Sequence, residues 1–173
     1  YMETRAFGID HPCMLPIDSL KLHGKLCFIE CDIRTHLTRR MQDARPGRYT
    51  DDFYGLYDAH GNKTVWCGPE TAELSLSALR KAFAHQLVNG SGIWWFDMWG
   101  GWYHDDVLLA DLAKMKTIAR TAEEKNSSYY PSVETVVFID EAAYLNNPRG
   151  SDFAHCVNRT RVAMGSTGIP FDI

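Results

Sequence analysis

The apolar residues come in short blocks separated by long polar stretches. Residues 1–20, broken by Pro12 and Pro16, keep no period and read as an irregular lead-in. Leu26-Cys27-Phe28-Ile29 then forms a run without strict alternation that ends in Glu30. That pattern predicts a strand covered on both faces, as in a parallel sheet. Residues 31–68 are polar, with turn signals at Arg45-Pro46-Gly47 and His60-Gly61-Asn62, and predict a long loop. From Pro69-Glu70 the spacing of Leu76, Leu79, Phe83 and Leu87 predicts an amphipathic helix closed by Asn89-Gly90. Ile93–Trp99 predicts a second buried strand. Asp105-Asp106 caps a helix carrying Leu108, Leu109, Leu112, Met115, Ile118 and Ala122, which ends near Lys125.

After a polar link at 126–132, Thr135–Ile139 is almost continuously β-branched or aromatic and predicts a third strand, with Asp140-Glu141 opening a loop. A helix is expected over 152–164, broken by Gly165 and Gly168, and Pro170–Ile173 reads as the start of a fourth strand. Strands alternating with helices predict an α/β fold with crossover connections. No internal repeat is found. Three and a half strands neither close a barrel nor complete a doubly wound sheet, so the expectation is an excerpt of a larger fold.

Composition narrows the function. The 173 residues are 45% hydrophobic and 12% aromatic, too apolar for a disordered chain. A net charge of −4 leaves no electrostatic footprint for a nucleic acid partner. No apolar run approaches the roughly 18 residues that a membrane span needs, so no membrane partner is expected. The five cysteines form no paired spacing and read as ordinary thiols, which points to a cytoplasmic location. His23, His36 and His104 share no ligand spacing, so neither a metal nor another cofactor is expected.

Two groups of residues could carry chemistry. Glu30 ends a buried parallel strand, where barrel active sites are built. Asp32, Arg34 and His36 follow at alternate positions and would share its side if the chain stayed extended. A nearby guanidinium keeps a carboxylate ionised, as a nucleophile requires. The second group lies in Gly92–His104, where four of the five tryptophans fall within nine residues. Indole faces stack on sugar rings, and they also fill cores. Trp94 and Phe96 point one way along the strand, Trp95 and Asp97 the other. Trp99 and Trp102 flank Gly100-Gly101, and a glycine pair permits close approach of a ligand. Asp97 could bond a sugar hydroxyl or Arg34, or could be a buried acid held by a backbone amide.

In this order the segments resemble the retaining glycoside hydrolases of clan A, particularly the family-42 β-galactosidases. Leu26–Glu30 resembles the seventh barrel strand with its glutamate nucleophile, Leu79–Gly90 the following helix, and Ile93–Trp99 the aromatic eighth strand. Thr135–Ile139, Asp152–Met164 and Pro170–Ile173 resemble the opening of the flavodoxin-like domain that follows the barrel and mediates trimer contacts. The eighth strand departs from the family, with Trp-Phe-Asp-Met-Trp where those enzymes carry a Phe-Arg-Trp-Arg type of run.

The resemblance implies the C-terminal part of a (β/α)8 TIM barrel over 1–128, then the first elements of a flavodoxin-like parallel α/β domain over 129–173. It implies hydrolysis of β-glycosidic bonds in a carbohydrate substrate, with Glu30 catalytic and Asp32, Arg34, Trp94, Asp97, Trp99 and Trp102 binding substrate. A homotrimer is implied as well. The family's acid/base follows its fourth strand and has no counterpart here, so the chain alone is expected to turn over poorly. The alternative is a non-catalytic carbohydrate-binding protein that keeps the aromatic platform.

Overall fold

The computed structural model describes residues 15–38, 68–97, 100–125, 133–146, 160 and 163–173. These divide into two compact units, the first containing 28–129 and the second 10–27 with 130–173. The described stretch 15–27 therefore clusters with the C-terminal part of the chain.

In the first unit, β1 (Phe28–Cys31) pairs in parallel with β2 (Gly92–Trp95), and Glu30 stands opposite Trp94 in the register. β1 alternates: Ile29 and Cys31 are buried, whereas Phe28 and Glu30 are exposed. One face of the strand is covered, not two. A short apolar run does not reveal this, because a hydrophobic side chain on the open face looks the same in sequence. β2 is shorter than the expected 93–99, although the Phe96 amide still donates to the Cys31 carbonyl at 3.1 Å.

The crossover between the strands includes α1 (Ala72–Val88), which packs on β2 and on α2 (Asp106–Lys125). The Thr71 hydroxyl caps α1 by accepting the Leu74 amide at 3.2 Å, so the helix starts after Pro69-Glu70. Its buried stripe is Ser75, Leu79, Ala82, Phe83 and Gln86. Leu76 and Leu87 are only half-buried, because the stripe is centred one position away from the leucine ladder. In α2, Leu108, Asp111 and Met115 are buried, while Leu109 and Ile118 are about half exposed. Arg80 of α1 grips Asp111 of α2 with two bonds of 2.8 Å, which joins the helices across their seam.

In the second unit, α3 (Ile17–Leu22) precedes a single parallel bridge between Val136 and Asp172. The Asp18 and Ser19 amides donate to the Ile173 carbonyl at 3.2 Å, and Asp18 Oδ2 accepts the Ile173 amide at 3.0 Å. α4 (Glu141–Asn146) replaces the loop expected after Asp140. Of the helix expected over 152–164, residues 152–159, 161 and 162 lie outside those described. Residues 163–167 are helical with Gly165 inside, and the turn comes at Gly168, whose φ is 72°. No helix among the described residues is long and apolar enough to cross a membrane.

Candidate functional site

The carboxyl ends of β1 and β2 lead into segments that interlock, 32–38 on one side and 96–97 with 100–105 on the other. After Cys31 the backbone leaves the sheet: Asp32, Ile33, Arg34 and Thr35 are all buried, and 36–38 turn helical. Glu30 is exposed, whereas Asp32 and Arg34 are buried.

Arg34 forms an ion pair with the Asp32 carboxylate and donates to the Asp32 carbonyl at 3.3 Å. Its guanidinium lies over the Trp102 ring, 4.6 Å from the centroid. A planar cation suits both contacts, since it can pair in its plane and stack on its face. Trp102 is fully buried, and one ring face is taken by Arg34. The Thr35 hydroxyl donates to the Trp102 carbonyl, fastening the two segments at a second point. Gly68 lies directly against the Thr35 carbonyl, where a Cβ would collide with backbone.

Asp97 takes the backbone-amide reading. Oδ1 accepts the Gly100 amide at 2.7 Å and Oδ2 the Trp102 amide at 2.9 Å. Gly100 and Gly101 have φ of 78° and 88°, a conformation that side chains resist, so these glycines serve the turn itself. Tyr103 closes the junction: its hydroxyl lies 3.2 Å from the Ile33 carbonyl and 3.1 Å from the Phe96 carbonyl. Burial first, then the negative charges of Asp97 and Cys31, push its phenol well above the usual value.

On the open face, Glu30 and Trp94 are neighbours in the register, and Trp94 meets Phe96 edge to face at 5.6 Å. Trp94 is 43% exposed. Trp95, on the opposite face, packs edge-on against Tyr103 at 6.3 Å. The sequence-derived set therefore divides. Glu30 and Trp94 share the open face, Asp32, Arg34 and Trp102 form an interior cluster, and Asp97 shapes the turn. Trp99 lies outside the described residues.

Sequence reasoning missed Thr35, Ser75, Tyr103 and Asp105 as members of this junction. Asp105 accepts the Val107 and Leu108 amides at 2.9 and 3.2 Å and reaches His36 Nε2 at 3.5 Å. The Leu108 amide foremost, with the Val107 amide and His36, holds its carboxyl below the ordinary range, against a smaller opposing effect of burial. Only the cap was visible in the sequence; partners 67 to 70 positions apart carry no local signal.

Among the described residues no group of three or more His, Cys, Asp or Glu is placed to hold a metal ion. In the second unit, a cleft is lined by Asp18, Leu22, Val137, Phe138, Asp140 and Asp172, among others. No family model, no curated protein and no solved structure matches the chain.

Proposed function

We propose that this chain is part of a retaining β-galactosidase-like glycoside hydrolase with Glu30 as nucleophile. The observation that carries the reading is the pairing of Glu30 with the exposed Trp94 on the open face of a parallel strand pair. A carboxylate beside an exposed indole offers an attacking oxygen and a surface for a sugar ring together. The parallel β-α-β order, with a helix packed on the second strand, is also what one segment of a (β/α)8 barrel requires. In that reading the open face looks into the barrel, 129–173 begins a flavodoxin-like domain, and the assembly is a trimer.

Retaining hydrolysis needs a second carboxyl group about 5–5.5 Å from the nucleophile to protonate the leaving oxygen. Asp32 is not offered for that part, since it is buried against Arg34. Asp32, Arg34, Asp97 and Trp102 instead hold the rim on which Glu30 and Trp94 stand, and Trp99 is kept as a sugar contact. The buried thiols of Cys27 and Cys31 suit a reducing, cytoplasmic setting.

The experiment is intact-mass analysis after incubation with 2-deoxy-2-fluoro-glycosides carrying a dinitrophenyl leaving group. That group departs without protonation, so labelling asks only for a nucleophile and a formed subsite. A gain of one sugar on Glu30, lost in Glu30→Gln, is expected. No gain from a chain that melts cooperatively overturns the reading. If sugars still quench tryptophan fluorescence in that case, the carbohydrate-binding alternative takes its place.

A further inference from the structure

His36 joins three elements around the strand ends and stands apart from the sugar chemistry. Its ring Nδ1 lies 3.2 Å from Ser75 Oγ on α1, and its Nε2 lies 3.5 Å from the Asp105 carboxylate that caps α2. Its backbone amide donates to the same Ser75 Oγ at 2.8 Å, and Ser75 Oγ donates to the Thr71 carbonyl at 2.9 Å. A serine, a histidine and an aspartate in line resemble an activated nucleophile. Ser75 has no exposed surface, however, so no substrate reaches its oxygen.

Counting protons shows what the line can do. Three side-chain contacts exist: His36 with Asp105, His36 with Ser75, and Ser75 with the Thr71 carbonyl. An ionised carboxylate and a carbonyl only accept, so each contact consumes one proton from the imidazole or the hydroxyl. The imidazolium has two ring protons and the serine one, which satisfies all three contacts. Neutral histidine leaves two protons for the same three contacts, so one must open. The Asp105 bond is charge-assisted and keeps its proton. Ser75 must then choose between the Thr71 carbonyl and His36 Nδ1.

We propose that His36 is a proton-operated clamp: when charged it ties the segment after β1 to the N-terminal ends of α1 and α2, and when neutral it slackens. Among the described residues, Asp105 is the charged group within ion-pair distance of the ring. Asp32 and Arg34 precede His36 on its own segment, Glu73 flanks Ser75 on α1, and His104 and Asp106 flank Asp105 at the start of α2. The clamp closes when the imidazole takes up its second ring proton, in acid, and opens when that proton is lost. Because 32–38, 96–97 and 100–105 form the rim of the strand ends, any ligand held there would meet a tighter rim in mild acid.

The test is a double-mutant cycle of His36→Gln and Asp105→Asn, with melting temperature read at pH 5.5 and pH 8. Asparagine retains the helix cap and removes only the charge. For a partly exposed pair the coupling is expected to be roughly 1–3 °C at pH 5.5 and clearly smaller at pH 8, where the neutral ring keeps the Asp105 bond but not the ion pair. Equal coupling at both values overturns the proposal. A second reading uses the unmodified chain: two protected ring N–H resonances for His36 at pH 5.5 and one at pH 8. A single ring N–H resonance at pH 5.5 overturns it as well.

Discussion

Tyr103 shares one hydroxyl proton between two carbonyls, those of Ile33 and Phe96, at the place where both strands end. Removing the hydroxyl leaves buried acceptors facing an apolar edge, so Tyr103→Phe is expected to cost about 1 kcal/mol at neutral pH. The pH dependence follows from the raised phenol, whose first cause is burial. The unfolded phenol ionises near pH 10 and the folded one higher, so this stability is full below about pH 10 and declines above it. The gap between the two proteins, read from urea midpoints, should therefore shrink between pH 9 and 11. A constant gap would show that the phenol is not held as described. Nothing around position 103 announces this role, because its partners lie at 33 and 96 and a tyrosine in a loop reads the same whether anchored or exposed. Asp97 was partly legible: of the readings left open by the sequence, an acid held by backbone amides is the one its bonds to Gly100 and Trp102 fulfil.

The two long helices show where an element is readable and where it is not. α2 was legible because Asp105 caps it locally and its apolar residues recur over many turns. α1 was legible as a helix but misplaced at its start, since Thr71 and not Pro69 makes the capping bond. Thr71→Ala should destabilise the first unit by about 1 kcal/mol, with Thr71→Ser restoring most of it. Tryptophan fluorescence during urea unfolding reads this unit, because all five tryptophans fall within 28–129. An unchanged midpoint in Thr71→Ala would mean the cap contributes nothing. α3 and α4 escaped notice for a common reason. Six residues are too few to display a helical period, and α3 is completed by Ile173, 155 positions away from Asp18.

At the scale of the whole chain, the two units carry carboxyls shifted in opposite senses. In the first, the Arg80 hydrogen bonds hold Asp111 below its usual range, and the Leu108 amide does the same for Asp105. Stability from lowered groups is present above the ordinary carboxylate range and lost as pH falls through it. In the second, burial, with the Asp18 charge adding to it, raises Asp172, which therefore favours folding as pH falls. Acidification from about pH 5 to 3 should thus weaken the first unit, followed by fluorescence, before the second, followed by its methyl resonances. Simultaneous loss would contradict the opposite signs. The mixture of helix and strand and the parallel order of β1 and β2 were readable from the chain alone, because periodicity, caps and turn residues act over a few neighbours. Which face of β1 stays open, that Arg34 turns inward onto Trp102, and that Asp18 meets Ile173 could not be read there. Each of these depends on contacts between residues tens of positions apart, and burial decides them only after the chain has folded.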